Sequence, residues 1–401
     1  MTISSNSEGL PGLDELLAPI TREEFFDRYW EKDFFHLERD DPEFYREIFS
    51  LDDVDRWIAA APAEGRERLI VRTSDSQVVR RSAPGKFNPA VICADVAEGN
   101  TLILQAVQES WPPLQTVAAK LDQALSAETK VNSYLSPPGS KGFDRHIDYH
   151  DFFIFQVYGS KHWYLFETPY LPMAGLEYGP FKAFKEGTAR GTEPLAEVYL
   201  KQGDMLYVPR GMPHYAAAIE ETSLHLTVSF HPLYWTDFVK AAVESVAVEH
   251  LPMQRSLPPG FLNRPEIRSE MEAIFAECLA KVSEASFDSA LRGASRSLNR
   301  DLRTEVGGQF TQVARLGDLS DDDSLNHTTG GDYIVEENGA KATIRQGASR
   351  VQGPAVLVPV FEFVRANSSF RVGDLPGLSD TGRLALARRL VRSGLLQIHT
   401  G

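Results

Sequence analysis

The stretch from Val131 to Pro169, VNSYLSPPGSKGFDRHIDYHDFFIFQVYGSKHWYLFETP, constrains the fold more than any other part of the chain. It reads as a strand, a Pro/Gly-rich loop and two further strands joined by a tight turn. At its middle, His146-Ile147-Asp148 sets two short-armed ligand residues two positions apart, so both point to one face of an extended segment. A lone His-x-Asp carries little weight. What matters is whether the chain supplies the rest of a site.

Tyr158-Gly159-Ser160-Lys161 has Gly at the first turn position, which suits a type II′ hairpin. In that register 158 pairs with 161, 156 with 163 and 154 with 165, and opposed residues share a face. Lys161 then joins Tyr158, Gln156, Ile154 and Phe152, and without a bulge their face is also that of His146 and Asp148. An ammonium buried there without an anion is costly. A dicarboxylate cosubstrate would resolve that cost, chelating iron through its 2-oxo acid end and meeting Lys161 with its far carboxylate. The plainer reading is a surface lysine at a hairpin tip.

Gln202 to Tyr215, QGDMLYVPRGMPHY, offers a third ligand: a Gly-Asp turn, a strand at Met205–Val208, then a Pro/Gly turn ending at His214. With His146 and Asp148 it would complete the two-histidine, one-carboxylate set that holds Fe(II) and leaves positions open. A second hairpin turning at Glu220-Glu221 would pair 218 with 223, 216 with 225 and 214 with 227. His214, Ala216, His225 and Thr227 would share one face, with Leu224, Leu226, Val228 and Phe230 on the other. A satisfied core histidine is the preferred reading of His225.

Elsewhere the text is ordinary. At 401 residues the chain has room for two to four domains, at roughly 100–200 residues each. The net charge of −15 argues against nucleic acid as a direct partner and suits a basic one. Cys93 and Cys278 are far apart and lack metal-ligand spacing, as in a reducing compartment. The amino terminus, loose to about residue 12, shows no signal peptide, and no apolar run reaches membrane-spanning length, so a cytoplasmic protein is expected. Thr21 caps a helix carrying Phe25, Phe26, Tyr29 and Trp30, read as plain core. Ser50 caps another over 51–60. Arg68 to Val91 and 100–107 read as short strands, and 112–125 as an amphipathic helix. Past the barrel come helices over about 233–249, 265–282 and 287–303, then an acidic connector at 318–323. Short strands follow, with a helix to Ala366, a helix from Ser379 to Ser393, a Gly394 stop and a last strand. From 355 onward six Arg face three acids, only a modest surplus for a DNA-binding surface.

GFDRHIDYHDFFIFQVYGSKHWYLFE followed by GDMLYVPRGMPHYA resembles the JmjC branch of the cupin superfamily. It is most similar to the ribosomal oxygenases, Fe(II)- and 2-oxoglutarate-dependent protein hydroxylases. FFDRYWEKDFFHLERDDPEFYREIFSLDDVD and, more loosely, the carboxy-terminal layout are also similar, so the resemblance spans most of the chain. It implies an α+β chain with a double-stranded β-helix (jelly-roll, cupin) core, flanking helices, a helical dimerisation region and a C-terminal winged helix. The corresponding domains are 1–92 (extension packing on the core), 93–232 (catalytic β-helix), 233–317 (homodimerisation) and 318–401 (winged helix). The resemblance makes His146, Asp148 and His214 the iron ligands. Lys161, fifteen positions after the first histidine, falls where the family's basic residue meets the distal carboxylate of 2-oxoglutarate. Asn132 matches a cosubstrate-binding Asn of some members, and Thr227 is a further cosubstrate position. The pattern lacks the His-x-His then Glu of ordinary metal cupins, which makes His150 a rim residue. For Asp151 two readings stand, substrate contact or structural hydrogen bond. His162 should face away from the site, and Tyr134 and Gln156 should line it.

The implied reaction is hydroxylation of an Arg or His β-carbon on a ribosomal protein. Lys161 is like the histidyl-hydroxylase members, whereas the bacterial arginyl enzyme carries Arg there. Two alternatives remain: a hydroxylase of another peptide or of tRNA, and a non-catalytic metal-binding cupin with an interaction role.

Overall fold

The structure, a computed structural model, describes residues 9–60, 68–72, 78–80, 88–140, 143–167, 193–301, 309–328, 333–346 and 349–399. The first eight residues, included in the expected loose terminus, lie outside that set, as do the last residues of the helix expected to reach 303. Contacts divide the chain into two units, Met1–Ala124 with Thr129–His231, and Leu125–Glu128 with Pro232–Gly401.

The first unit is built on eleven strands: β1 Phe35–Leu37, β2 Leu69–Arg72, β3 Val78–Arg80, β4 Thr101–Leu104, β5 Ala127–Ser136, β6 Asp151–Tyr158, β7 Lys161–Leu165, β8 Ala196–Leu200, β9 Met205–Val208, β10 His214–Ala217 and β11 Ser223–Pro232. Eight form one sheet, in the order β1-β9-β6-β11-β5-β4-β2-β3. The other three form a second, β10-β7-β8. Between the sheets lies a shared core that includes Phe152, Ile154, Trp163, Leu165, Val208, Met212 and Ala216. Strand β6 is buried along nearly its whole length because both of its faces are covered. Phe152 and Ile154 enter that shared core, while Phe153 and Phe155 pack against the amino-terminal aromatics. Phe25 meets Phe153 and Tyr207 at ring-centroid distances of 5.7 and 4.9 Å, and Tyr45 stacks on Phe155 at 4.8 Å. The aromatic stripe around Phe25 therefore covers the back of the barrel. Its helix starts where expected, with the Thr21 hydroxyl accepting the Glu24 N–H at 3.1 Å.

Neither expected hairpin forms. Residues 154 and 165 were expected to pair, and 214 with 227; instead Ile154 pairs with Thr227, and Leu165 with His214. Likewise Trp163 pairs with Ala216, and Gln156 with His225. Each tight turn carries the chain from one sheet to the other, so the four strands exchange partners. The physical reason is that β6 and β7 each find two neighbours in their own sheet, which a local hairpin would forfeit. Opposite Leu224 and His225, which pair with Tyr158 and Gln156, Val157 is an extra residue that breaks the even count along β6.

Two further corrections concern the segment before β4. Part of the region read as strands up to Val91 is a helix, Pro89–Ala97, capped by the Asn88 side chain, which accepts the Ala90 N–H at 3.0 Å. Proline at the first helical position and the Asn cap outweigh the β-branched residues around Val91. The short strand β1, next to β9, had no distinct sequence signal.

The second unit begins with helices Trp235–Ala247, Arg268–Ser283 and Phe287–Asp301. Beyond them, two three-stranded sheets and the helices Val358–Ala366 and Asp380–Arg392 close over a core containing Leu325, Ile344, Phe361 and Leu390. Ser379 caps the last helix and Gly394, at φ 78°, ends it. No described helix is long and apolar enough to cross a membrane.

Candidate metal centre

His146 and His214 are brought together by backbone pairing. His146 N–H donates to the His214 carbonyl at 3.0 Å, and His214 N–H returns the bond at 2.9 Å. Gly211 N–H donates to the Asp148 carbonyl at 2.9 Å, which ties the second segment to the first. Ligand atoms of His146, Asp148 and His214 then lie within 4.8 Å of one another. The Asp148 Oδ2 to His214 Nε2 distance is 3.7 Å.

The imidazoles are oriented through their other nitrogens. His146 Nδ1 lies 2.8 Å from the Asp144 carbonyl oxygen, and His214 Nδ1 lies 2.9 Å from that of Met212. A carbonyl can only accept, so each Nδ1 is the donor and Nε2 is the nitrogen left for a metal. Burial, reinforced by the neighbouring His146, pushes His214 down to about 4, which keeps its ring neutral around pH 7. Two imidazoles and a carboxyl group on one side, facing a cavity on the other, fit a divalent metal with open coordination positions.

The cavity beside them has a volume of about 210 Å³. Lys161, Asn132, Thr227, Tyr134 and His150 line it together with the three ligand candidates. Lys161 is 2% exposed, and its Nζ donates to the Ser136 hydroxyl at 3.0 Å. Burial alone brings its pKa down to about 7. Among the described residues the cavity wall carries one carboxylate, Asp148. The lysine therefore faces the cavity, and the surface reading does not hold.

The remaining expectations divide. The Asn132 side-chain oxygen accepts the Ala106 N–H at 3.0 Å, and the residue lines the cavity beside Tyr134. His225 lines the cavity while buried, stacked on Tyr134 with ring centroids 4.9 Å apart. Burial, then the Lys161 charge, holds it neutral, in line with a core histidine that also forms wall. Tyr134 is pushed up to about 12 by burial and then by Asp148. His150 lies at the wall, 5.0 Å from the His231 ring. His162 packs on Tyr199 at 4.6 Å and is absent from the cavity lining. Gln156 does not line the cavity either: its amide donates to the Tyr158 carbonyl and the Ser223 hydroxyl, each at 2.9 Å. That bonding sits at the β6 bulge and engages the Gln156 amide within the sheet. Asp151 is fully buried and accepts from Tyr207 Oη at 2.7 Å, so its structural reading is the one that holds.

Sequence reasoning missed Arg72 and Phe143. Both line the cavity, with the Arg72 guanidinium 3.9 Å above the Phe143 ring. LIVRT carries no sign that its arginine faces a site. The β2–β4 register, which pairs Arg72 with Thr101, is what places it there.

Two stacked antiparallel sheets with a His-Asp-His cluster beside a cavity define a cupin-type fold with a candidate metal site. Residues 110–238 match the JmjC domain model. The chain thus carries a JmjC domain, and it is similar to the ribosomal oxygenases. It is 33% identical over 252 residues to ribosomal oxygenase 1 of Gallus gallus, covering 61% of this chain and 41% of that protein. It is 32% identical over 254 residues to the bifunctional lysine-specific demethylase and histidyl-hydroxylase NO66 of Culex quinquefasciatus, covering 61% of this chain and 38% of that protein. The chain thus spans less than half the length of these curated relatives. Two structures of YcfD, a ribosomal oxygenase from Escherichia coli, share the fold over 95% of this chain and 99% of theirs. The complex with cobalt and succinic acid has a TM-score of 0.56 at 17% identity, and that with cobalt and 2-oxoglutarate 0.54 at 18%.

Proposed function

We propose that the protein is an Fe(II)- and 2-oxoglutarate-dependent hydroxylase of a protein side chain, with a ribosomal protein as its substrate. The observation that carries this reading is Lys161, a buried lysine without a carboxylate partner among the described residues, in the same cavity as the three ligand candidates. A metal-binding cupin needs no such lysine. A dicarboxylate cosubstrate does, because its far carboxylate supplies the missing anion. The reading is supported by the similar fold of YcfD, which binds cobalt together with 2-oxoglutarate or succinic acid.

In this reading His146, Asp148 and His214 hold the iron, and Lys161 and Ser136 receive the distal carboxylate. The Asn132 side chain and the Thr227 hydroxyl complete the cosubstrate contacts. The iron, when bound, supplies oxygen activation coupled to oxidative decarboxylation of 2-oxoglutarate. The protein's part is to fix geometry and exclude water. Nδ1 anchoring keeps each histidine aimed, and Trp163, Phe152 and Ala216 close the cavity floor with apolar surface.

A basic substrate suits the net charge of −15, and a cytoplasmic setting is in keeping with it. We divide the chain as 1–92, 93–232, 233–317 and 318–401 and assign the third part to homodimerisation. Trp235 at 79% exposed, with Val239, Leu262, Phe275 and Phe287 also exposed, supports a second copy covering these helices. We read the last part as a winged helix for partner docking, with nucleic acid not a direct partner. In its support, Arg383 pairs with Asp380 at 2.6 Å and Arg388 donates to the Leu316 carbonyl at 2.9 Å, so two arginines of the last helix are engaged locally.

The deciding experiment incubates the iron-loaded protein with 2-oxoglutarate and ribosomal proteins from cells lacking its gene. Gain of one oxygen atom on a ribosomal protein, matched by succinate, is expected. Succinate formation with no ribosomal protein modified would move the substrate elsewhere, and absence of 2-oxoglutarate turnover would leave a metal-binding cupin.

A further inference from the structure

Behind the metal centre, on the side away from the cavity, a second polar cluster joins the two segments that carry the ligands. Asp151, three residues after Asp148, accepts the Tyr207 hydroxyl at 2.7 Å and the Arg210 N–H at 3.3 Å on the same oxygen. The next residue, Gly211, donates its N–H to the Asp148 carbonyl. Consecutive N–H groups of the 209–213 loop therefore grip the 148–151 segment, and that loop ends at His214. The Arg210 guanidinium lies 4.0 Å from the other Asp151 oxygen and 2.6 Å from Glu31. Glu31 belongs to the amino-terminal extension, and its own N–H donates to Tyr207 Oη at 2.8 Å. It sits at φ 57°, a left-handed conformation that a non-glycine residue adopts at some cost, so the contact is held in place by its surroundings.

Arg210 is 7% exposed and Asp151 fully buried, whereas Glu31 is about one-third exposed. Charges this deep need their partners. None of the three lines the cavity. Their position instead links the His146-Ile147-Asp148 segment to the loop before His214.

We propose that Glu31, Arg210 and Asp151 are positioning residues for the metal centre: through them the amino-terminal extension sets the spacing of the two ligand-bearing segments, and so the metal affinity. This rests on the reading of His146, Asp148 and His214 as metal ligands. Outer partners that aim ligands typically change metal affinity on the order of ten- to a hundred-fold when removed.

Co(II) serves as probe, because its visible d–d bands report ligand geometry independently of turnover. The full chain, stripped of metal, is titrated with Co(II) as wild type and as Glu31→Gln, Arg210→Met, Arg210→Lys and His214→Ala. Thermal unfolding of each metal-free variant shows that it is folded. Glu31→Gln and Arg210→Met are expected to weaken Co(II) binding about tenfold or more and to shift the d–d bands. Arg210→Lys, which keeps the charge, should recover much of the loss. Should Arg210→Met fail to fold, Glu31→Gln carries the test from its partly exposed site. Wild-type affinity and spectrum in the folded Glu31 and Arg210 variants, with binding abolished in His214→Ala, would overturn this inference and leave the metal site standing. No Co(II) binding by the wild type would overturn both.

Discussion

His146 and His214 exchange both of their backbone hydrogen bonds, at 3.0 and 2.9 Å, so main-chain pairing ties the two ends of the site together. Their side chains add only the ligand atoms. His214→Ala should therefore leave the bridge and the fold intact while removing one donor. The expected outcome is a melting temperature within a few degrees of wild type together with loss of Co(II) binding and of substrate-coupled succinate formation. Calorimetric metal titration and a thermal scan check it; unchanged turnover would dismantle the triad.

Lys161 should cost the empty protein stability. Its pKa is about 7 when folded, against 10.5 for an unperturbed lysine. Between those values the unfolded chain binds a proton that the native state does not, so stability rises with pH across that window. Below about 7 both states are protonated and the penalty is fully present. Denaturant unfolding without cosubstrate, from pH 7 to pH 9, should show a gain on the order of 2 kcal/mol. Lys161→Met should remove that slope and stabilise the empty protein at pH 7. A wild-type slope in the variant would place the titration elsewhere.

The same lysine gives cosubstrate binding a proton signature. At pH 8 the empty cavity holds Lys161 largely neutral, and a carboxylate beside it draws the proton back. Binding of 2-oxoglutarate to the metal-loaded protein should thus take up close to one proton. Titration calorimetry in buffers of different ionisation enthalpy measures it as a buffer-dependent heat. Lys161→Arg, charged at all these pH values, should bind without that uptake. Equal uptake in both would separate Lys161 from the carboxylate.

The sequence was most legible where chemistry and local rules coincide. His146, Asp148 and His214 stand out by residue type and spacing, and Lys161 by the parity of its strand. That parity survived although the pairing behind it did not. Exchanging 154–165 and 214–227 for 154–227 and 165–214 keeps all four residues on the same inward side, because each substitute partner has the same alternation. Gln156 is the exception: its amide is taken up by the Tyr158 carbonyl and the Ser223 hydroxyl. Arg72 and the Glu31–Arg210–Asp151 cluster were not legible, since they depend on contacts between segments far apart in the chain. A β-branched strand or an acidic helix end carries no mark of what it will meet.

The swapped pairing makes Gly159 and Gly339 a matched comparison. Both sit at the first position of a two-residue turn with nearly the same backbone, φ 60° and 59°. At Gly339 the flanking residues Asn338 and Lys341 pair with each other as a true hairpin, and a Cβ would meet open space. At Gly159 the chain passes between sheets, and a Cβ would collide with the Thr222 carbonyl oxygen. Gly339→Ala should bear only the left-handed strain, about 1 kcal/mol. Gly159→Ala bears that and the collision, and it moves the residue two before Lys161. It should lower the melting temperature distinctly more than Gly339→Ala and weaken 2-oxoglutarate binding, which Gly339→Ala leaves unchanged. Equal melting shifts in the two variants would mean that the turn at Gly159 is an ordinary hairpin after all.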